Sequence, residues 1–360
     1  MSYDPFCRGV HPVGVVTFQS KDEARARELP LEIWYPAVEA ERGRDLDPRS
    51  QATYRPLLAT APLCQAAVRD AEAAPGPHPV VAFSHGFAGH RCQSTFLCTH
   101  LASHGFLVVA PDHVGNTTMD VIAQALEMFQ SGAGMPGPAE MMERIHDIAE
   151  LRPGDVQHAL DQVLSGAIET VPAADASRVA VSGHSFGGWT TLMTAGRDPR
   201  VRAAVPLAPA GGQTDLPVDP FAERMDLAWE REIPTLYLVA ERDSLLPLRG
   251  MHELFERTRA PRRMVILTDT DHQHFCDNAE QIHELMRALP LPGLAAEMDL
   301  AGRMLPFSEL APAAGAEQAI RGLALAHLDA VLNGHEGART LLDDAVGALA
   351  ERGTRASTRA

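Results

Sequence analysis

The run Gly183-His184-Ser185-Phe186-Gly187 holds a hydroxyl between two residues that carry no side chain. A β-branched segment, Val179 to Ser182, precedes it, and a helical stretch, Trp189 to Ala195, follows. A sharp strand-to-helix turn leaves no room for neighbouring side chains, so both flanks must be glycine, and Ser185 Oγ is presented at the sheet edge above a helix N-terminus. Such a hydroxyl can attack an acyl carbonyl if a base takes its proton and donors hold the oxyanion that forms. The chain supplies the remaining groups in the order Ser, acid, base. Asp243 falls a few residues past the segment Thr235 to Ala240, with Glu241 the competing carboxylate nearer its end. After Met264 to Thr268 come two imidazoles, His272 and His274, of which one is the base and the other a neighbour. The spacing favours Asp243 and His272, which would hold the right tautomer and take the proton. The oxyanion donors are expected from the backbones of Phe87, just past His85-Gly86, and Phe186, with His85 buttressing the loop.

A His-x-His with Cys276 and Asp277 nearby raises a metal site as the other use of these residues, since alternate residues of a strand share a face. The Ser185 turn already demands a histidine here. Acyl transfer by this set needs neither a metal nor a cofactor.

These groups must be held by a scaffold, and its elements can be read. Short apolar, β-branched runs bounded by Pro, Gly or Asp alternate with helical stretches, the pattern of a mostly parallel sheet covered on both faces. Eight strands are expected: Val13 to Phe18, Leu31 to Tyr35, Val80 to Phe83, Phe106 to Ala110, Val179 to Ser182, Ala203 to Leu207, Thr235 to Ala240 and Met264 to Thr268. Helices are expected at Arg91 to His104, Asp155 to Leu164, Trp189 to Ala195 and Glu317 to Leu332, the last ended by Asn333-Gly334. Eight strands with a serine elbow predict an α/β class chain of the α/β-hydrolase fold. Residues 1–360 read as one domain, with C-terminal helices within 315–351 and a tail from Arg352 that should fray.

One insertion breaks the alternation. Residues 116–151 hold Met119, Met128, Met135, Met141 and Met142 among several Gly and Pro, just after the fourth strand. α/β proteins place their ligand crevice at that end of the sheet, and methionine makes an adaptable apolar surface. A lid or pocket wall is one reading, and core packing of two extra helices is the other. Gly211 to Glu230 could share the same roof.

Composition narrows the partners. The chain has 360 residues, 45% hydrophobic and 22% charged, enough for a full core. A formal charge of −16 would repel phosphate backbones and anionic headgroups, so nucleic acid and acidic membranes are unexpected partners; the small-molecule ester expected as substrate rests on the serine site and not on the charge. No apolar run reaches the ~18 residues of a membrane span, and the start has no export signal. Five scattered cysteines without a C-x-x-C pair fit a reduced cytoplasm.

The motifs carry a family resemblance. Phe83-Ser84-His85-Gly86-Phe87, Leu101 to Ala110, the Gly183 to Gly188 elbow and His272 to Asp277 resemble platelet-activating factor acetylhydrolases and bacterial dienelactone-hydrolase-like proteins. Glu150 to Asp161 is similar to the segment before the elbow in those hydrolases and in bacterial polyester hydrolases. The resemblance implies a serine esterase with Ser185 as nucleophile, His272 as base and Phe87 and Phe186 as oxyanion donors. Acetylhydrolases carry the acid just after the sixth strand, where this chain reads Val205 to Gly211 without a carboxylate, so the acid must come from Asp243. Dienelactone hydrolases proper use a cysteine nucleophile where this elbow has serine.

Overall fold

The expected strands read as continuous apolar runs because the sheet is buried on both faces. In β5 (His78–Ser84), Val81 and Phe83 enter the core on one side of the sheet, and Val80 and Ala82 enter the core on the other. The structure, a computed structural model, describes residues 3–56, 61–131, 138–214, 221–259, 261–288 and 299–359. All eight expected strands are present: β1 (Val13–Asp22), β2 (Arg27–Pro36), β5, β6 (Leu107–Pro111), β7 (Ala174–His184), β8 (Val201–Leu207), β9 (Thr235–Ala240) and β10 (Arg262–Leu267). With β3 (Gln51–Tyr54), β4 (Leu63–Arg69) and β11 (Ala356–Arg359) they lie in one sheet of order β11-β10-β9-β8-β7-β5-β6-β2-β1-β4-β3. From β6 through β10 neighbouring strands run parallel, and β1, β2 and β6 are joined antiparallel.

Among the described residues the sheet therefore has eleven strands rather than eight. β3 and β4 extend one edge, and neither carries the β-branched run that marks a strand in sequence. β11 corrects the expectation of a frayed tail, for it pairs antiparallel with β10. Its sequence, Ala-Ser-Thr-Arg, has no apolar face. Docking on an open sheet edge and the ion pairs Arg355–Asp269 and Arg359–Glu256 hold it instead.

Helices cover both faces. α1 (Thr95–Ser103) and the C-terminal helix Ala313–Leu332 share one core through Leu97, Leu101, Ile320 and Leu323. On the other face lie α3 (Pro138–Leu164) and α4 (Phe186–Arg197), through Val156, Leu160, Val163 and Leu192. α1 starts later than expected because its N-terminal amides, Thr95 and Phe96, are capped by the distant carboxylate of Asp277 at 2.9 and 3.1 Å. α3 starts far earlier than expected and runs through Pro153, which reads as a helix breaker in sequence.

In the insertion, α2 (Thr118–Ser131) buries none of its residues, so it does not pack in the core. The first half of α3 completes the pair of helices and buries Ile145 and Ala149. Met135 and residues 132–137 lie outside the described residues. From the second insertion, Phe221 reaches over the elbow, its ring 4.6 Å from that of Phe186. Among the described residues, no helix is long and apolar enough to cross a membrane.

Candidate active site

The chain leaves β5 for β6 on one side, and the next strand of the central sheet, β7, lies on the other. Open α/β sheets bind their ligands at such a reversal, beyond the carboxyl ends of the strands, here those of β5 and β7. Ser185 follows β7 there, with φ 59° and ψ −117°. Such a backbone costs on the order of 1–3 kcal/mol and persists only where its surroundings hold it. Here they do, because Ser185 N–H donates to Leu207 C=O at 2.9 Å and Ser185 C=O accepts from Ala210 N–H at 3.0 Å. The glycines are required for the reason expected: a Cβ on Gly187 would collide with Ser84 C=O, and one on Gly183 with Gly187 C=O. The loop after β5 closes against the serine, with the Cβ position of Gly86 only 3.5 Å from Ser185 Cβ. Among the described residues, neither the Phe87 N–H nor the Phe186 N–H has a hydrogen-bond partner.

Asp243 and His272 come together at the same end of the sheet. His272 Nδ1 lies 2.7 Å from Asp243 Oδ2, and both side chains are almost wholly buried. Asp243 Oδ1 accepts from the N–H groups of Leu245 and Leu246, which fixes the carboxylate. Burial disfavours the imidazolium, but the charge of Asp243 and its hydrogen bond outweigh that and hold His272 above its ordinary pKa. A carboxylate on Nδ1 puts the proton there and leaves Nε2 free to accept. Among the described residues no hydrogen bond joins Ser185 Oγ to His272, a contact that commonly tightens only with substrate.

The competing residues sit elsewhere. Glu241 takes the Asp269 N–H at 3.0 Å from an exposed position. His274 packs beneath the loop, stacked on Phe307 at 4.8 Å with Nε2 against Ala311 C=O at 2.9 Å. Residues His272–Phe275 form a turn of 3-10 helix, not a strand, so the two imidazoles diverge. Among the described residues no group of three or more His, Cys, Asp or Glu could hold a metal ion.

This site matches a known family over residues 65–289, more than half of the sequence. The chain belongs to the dienelactone hydrolase family. It is 30% identical to a cutinase, est1, of Thermobifida alba over 177 residues, 49% of this chain and 46% of that protein. Over 158 residues it is also 30% identical to platelet-activating factor acetylhydrolase of Cavia porcellus, covering 37% of this chain and 35% of that protein. The chain thus spans about half or less of the length of these curated relatives. Its homologues are carboxylic ester hydrolases. The fold is that of the α/β-hydrolases: a ferulic acid esterase structure from Streptomyces cinnamoneus superimposes with a TM-score of 0.62 at 23% identity, covering 91% of this chain and 94% of that one.

In this dienelactone hydrolase relative, several residues that the sequence did not single out support the site. Gln93 joins the two halves, accepting the Gly86 N–H at 2.9 Å and donating to His184 Nδ1 at 3.0 Å. The His184 ring lies 4.4 Å from that of His272. Asp271 Oδ1 ties the acid loop to the base loop through Ser244 N–H at 2.8 Å and His272 N–H at 2.5 Å. Arg152 is wholly buried. Its guanidinium donates to His85 C=O, to Asn116 Oδ1 at 2.6 Å, to Thr190 Oγ1 at 3.0 Å and to Ser84 Oγ at 3.2 Å, and it lies 4.3 Å over the Phe186 ring. Burial pushes its pKa down to about 9, so it stays a cation at neutral pH. Arg152 and Asp155 both lie in the Glu150 to Asp161 run, so a signal for them existed, but nothing in it showed what they touch.

Proposed function

We propose that this chain hydrolyses carboxylic esters through an acyl-enzyme, with Ser185 as nucleophile, His272 as base, Asp243 as acid and the Phe87 and Phe186 N–H groups as oxyanion donors. The observation that carries the reading is the buried Asp243–His272 pair at 2.7 Å, at the same sheet end as a serine held at φ 59°. Ser185 Oγ attacks the ester carbonyl while His272 Nε2 takes its proton. The carbonyl electrons move onto oxygen, where the two amides meet the charge. As the intermediate collapses, the imidazolium gives its proton to the leaving alcohol. Water then repeats the sequence on the acyl group and restores Ser185. These five groups complete the chemistry without a cofactor.

The substrate class follows from the rim. α2 presents Met119, Ile122, Leu126 and Phe129 outward at helical spacing, and its first turn is tied to the oxyanion loop by Thr118, whose Oγ1 donates to Ala88 C=O at 2.6 Å. Phe87 is 45% exposed beside that turn. We read residues 116–151 as an apolar wall for the acyl or alcohol part of a small ester, on one catalytic domain. Five free cysteines suit a reducing compartment, for which we propose the cytoplasm.

The test joins labelling and turnover. A fluorophosphonate should modify Ser185 stoichiometrically, and p-nitrophenyl esters of increasing acyl length should be cleaved faster than a lactone or an amide. Labelling without ester turnover, or preference for the lactone or amide, would replace the substrate class. No labelling would leave a binding module on the same fold.

A further inference from the structure

We propose that His85 is a positioning residue of the oxyanion hole: two backbone groups lock it in the neutral Nδ1–H tautomer, so that it orients and polarises the peptide carrying the Phe87 N–H. This rests on the reading of Ser185 as an acyl-transfer nucleophile.

His85 has no solvent exposure. Its Nδ1 lies 2.7 Å from Gly86 C=O, and its Nε2 lies 3.0 Å from the His113 backbone N–H. A carbonyl oxygen can only accept and a backbone N–H can only donate. Nδ1 must therefore carry the proton, and Nε2 must keep its lone pair. An imidazolium would aim a second N–H at the His113 N–H. Burial and the nearby Arg152 charge oppose that cation as well, and hold His85 well below its ordinary pKa.

The Gly86 carbonyl belongs to the peptide whose nitrogen is Phe87. In a planar trans peptide the C=O and N–H point in opposite directions. Fixing the carbonyl toward His85 therefore aims the Phe87 N–H the other way, and that N–H has no partner among the described residues. A hydrogen bond received at the carbonyl also polarises the peptide and strengthens its N–H as a donor. The preceding peptide is held just as firmly, with His85 C=O accepting from Arg152 and Gly86 N–H donating to Gln93 Oε1. Preorganised donors need not reorient when charge develops, and this is where their rate advantage arises.

The experiment compares wild type with His85→Leu and His85→Asn on p-nitrophenyl acetate, and measures inhibition by an alkyl trifluoromethyl ketone. That ketone adds Ser185 Oγ at its carbonyl and leaves an oxyanion in the hole. His85→Leu should lower kcat by about 10- to 100-fold with KM within about threefold, less than loss of a whole oxyanion donor. Ketone affinity should fall by the same factor. His85→Asn, whose amide N–H stands near the Nδ1–H position, should recover most of the loss. Equal impairment in both variants, or a kcat loss without a matching loss of ketone affinity, would mean that His85 only fills space. If neither variant folds, nitrogen NMR of the wild-type imidazole decides: a proton on Nδ1 and a lone pair on Nε2 support the proposal, and the opposite tautomer overturns it. A wild type that neither turns over esters nor labels at Ser185 would instead overturn the hydrolase reading, while the tautomer would still report on His85.

Discussion

Among the described residues two Ser-His-Asp groupings can be set side by side, the one proposed to react and a second whose surroundings oppose reaction. In the first, His272 bonds Asp243 at 2.7 Å, at the sheet end that carries Ser185. In the second, Ser84 Oγ lies 2.8 Å from His113 Nε2, and His113 Nδ1 lies 3.0 Å from Asp155 Oδ2. The second is the more completely bonded, yet its environment disarms it. Ser84 ends a regular strand under the oxyanion loop and is buried, whereas Ser185 is partly exposed on a strained turn. Arg152 donates to Ser84 Oγ and sets a positive charge near His113. Asp155 is shared with Arg25 and Arg27, which bind it at 2.9 Å, so its charge is divided. Burial and the Arg152 charge push His113 down to about 4, so it is a weak base for a serine proton near neutral pH. Residue types and contacts define a triad less well than the sign of the field at its imidazole.

The largest test sets the two serines against each other. Ser185→Ala should abolish ester turnover, a loss of about 10⁶ in kcat when a nucleophile is removed, with the fold intact by circular dichroism. Ser84→Ala should keep fluorophosphonate labelling at Ser185 and lose stability instead, about 1–3 kcal/mol in urea unfolding, because Arg152 and His113 lose a buried partner. Near-wild-type turnover in Ser185→Ala would reverse the assignment of the arrays. The imidazoles sharpen the same contrast: His272→Gln should lose nearly all activity, while His274→Gln should keep a substantial fraction.

The two aspartates should separate rate from stability. Asp243→Asn should lower kcat by roughly 10⁴, as expected when the base is held in the wrong tautomer, with little change in urea midpoint. Asp155→Asn should destabilise by about 3–5 kcal/mol, because Arg25, Arg27 and the buried Arg152 lose their counter-charge. If Asp155→Asn were the variant with normal stability and crippled chemistry, the support role given to the second array would be wrong.

The array proposed to react was legible in the sequence and the second one was not, for physical reasons. Ser185 announces itself because a tight turn forces glycine on both sides, and Asp243 and His272 each follow a recognisable strand by a short loop. Ser84, His113 and Asp155 sit on three separate elements, and their convergence depends on α3 starting at Pro138 and running through Pro153. Local propensity argues for a break there, and packing of Val156, Leu160 and Val163 on the sheet overrides it. β11 was missed for a related reason: a four-residue polar strand is stabilised by the edge it meets, which no local pattern encodes. The capping of α1 by Asp277 belongs to the same class of long-range contact.

The smallest expected effect is a pH response in which the two imidazoles move oppositely. For His272 the groups that matter are its burial, the Asp243 charge and the Asp271 charge, and their balance places it above 6.5. The base must be neutral to act, so kcat/KM should rise with pH through a midpoint above 6.5 and fall about tenfold per unit below it. Removing the Asp243 charge in Asp243→Asn should move the midpoint of the residual activity toward acid. His113 has the reverse sign. Its folded pKa, about 4, lies below that of an unfolded histidine, so the unfolded chain binds more protons as pH falls below 6.5. Its contribution to stability is therefore complete above 6.5 and is lost as pH falls toward 4. His85, His100 and His184 act in the same direction. Acidification should then silence the enzyme reversibly before it loosens the fold, and kcat/KM measured beside circular dichroism across pH 4 to 8 checks the order. A single transition in which activity and structure disappear together would mean that His272 is not held charged by Asp243, and that the two arrays differ less than their geometry implies.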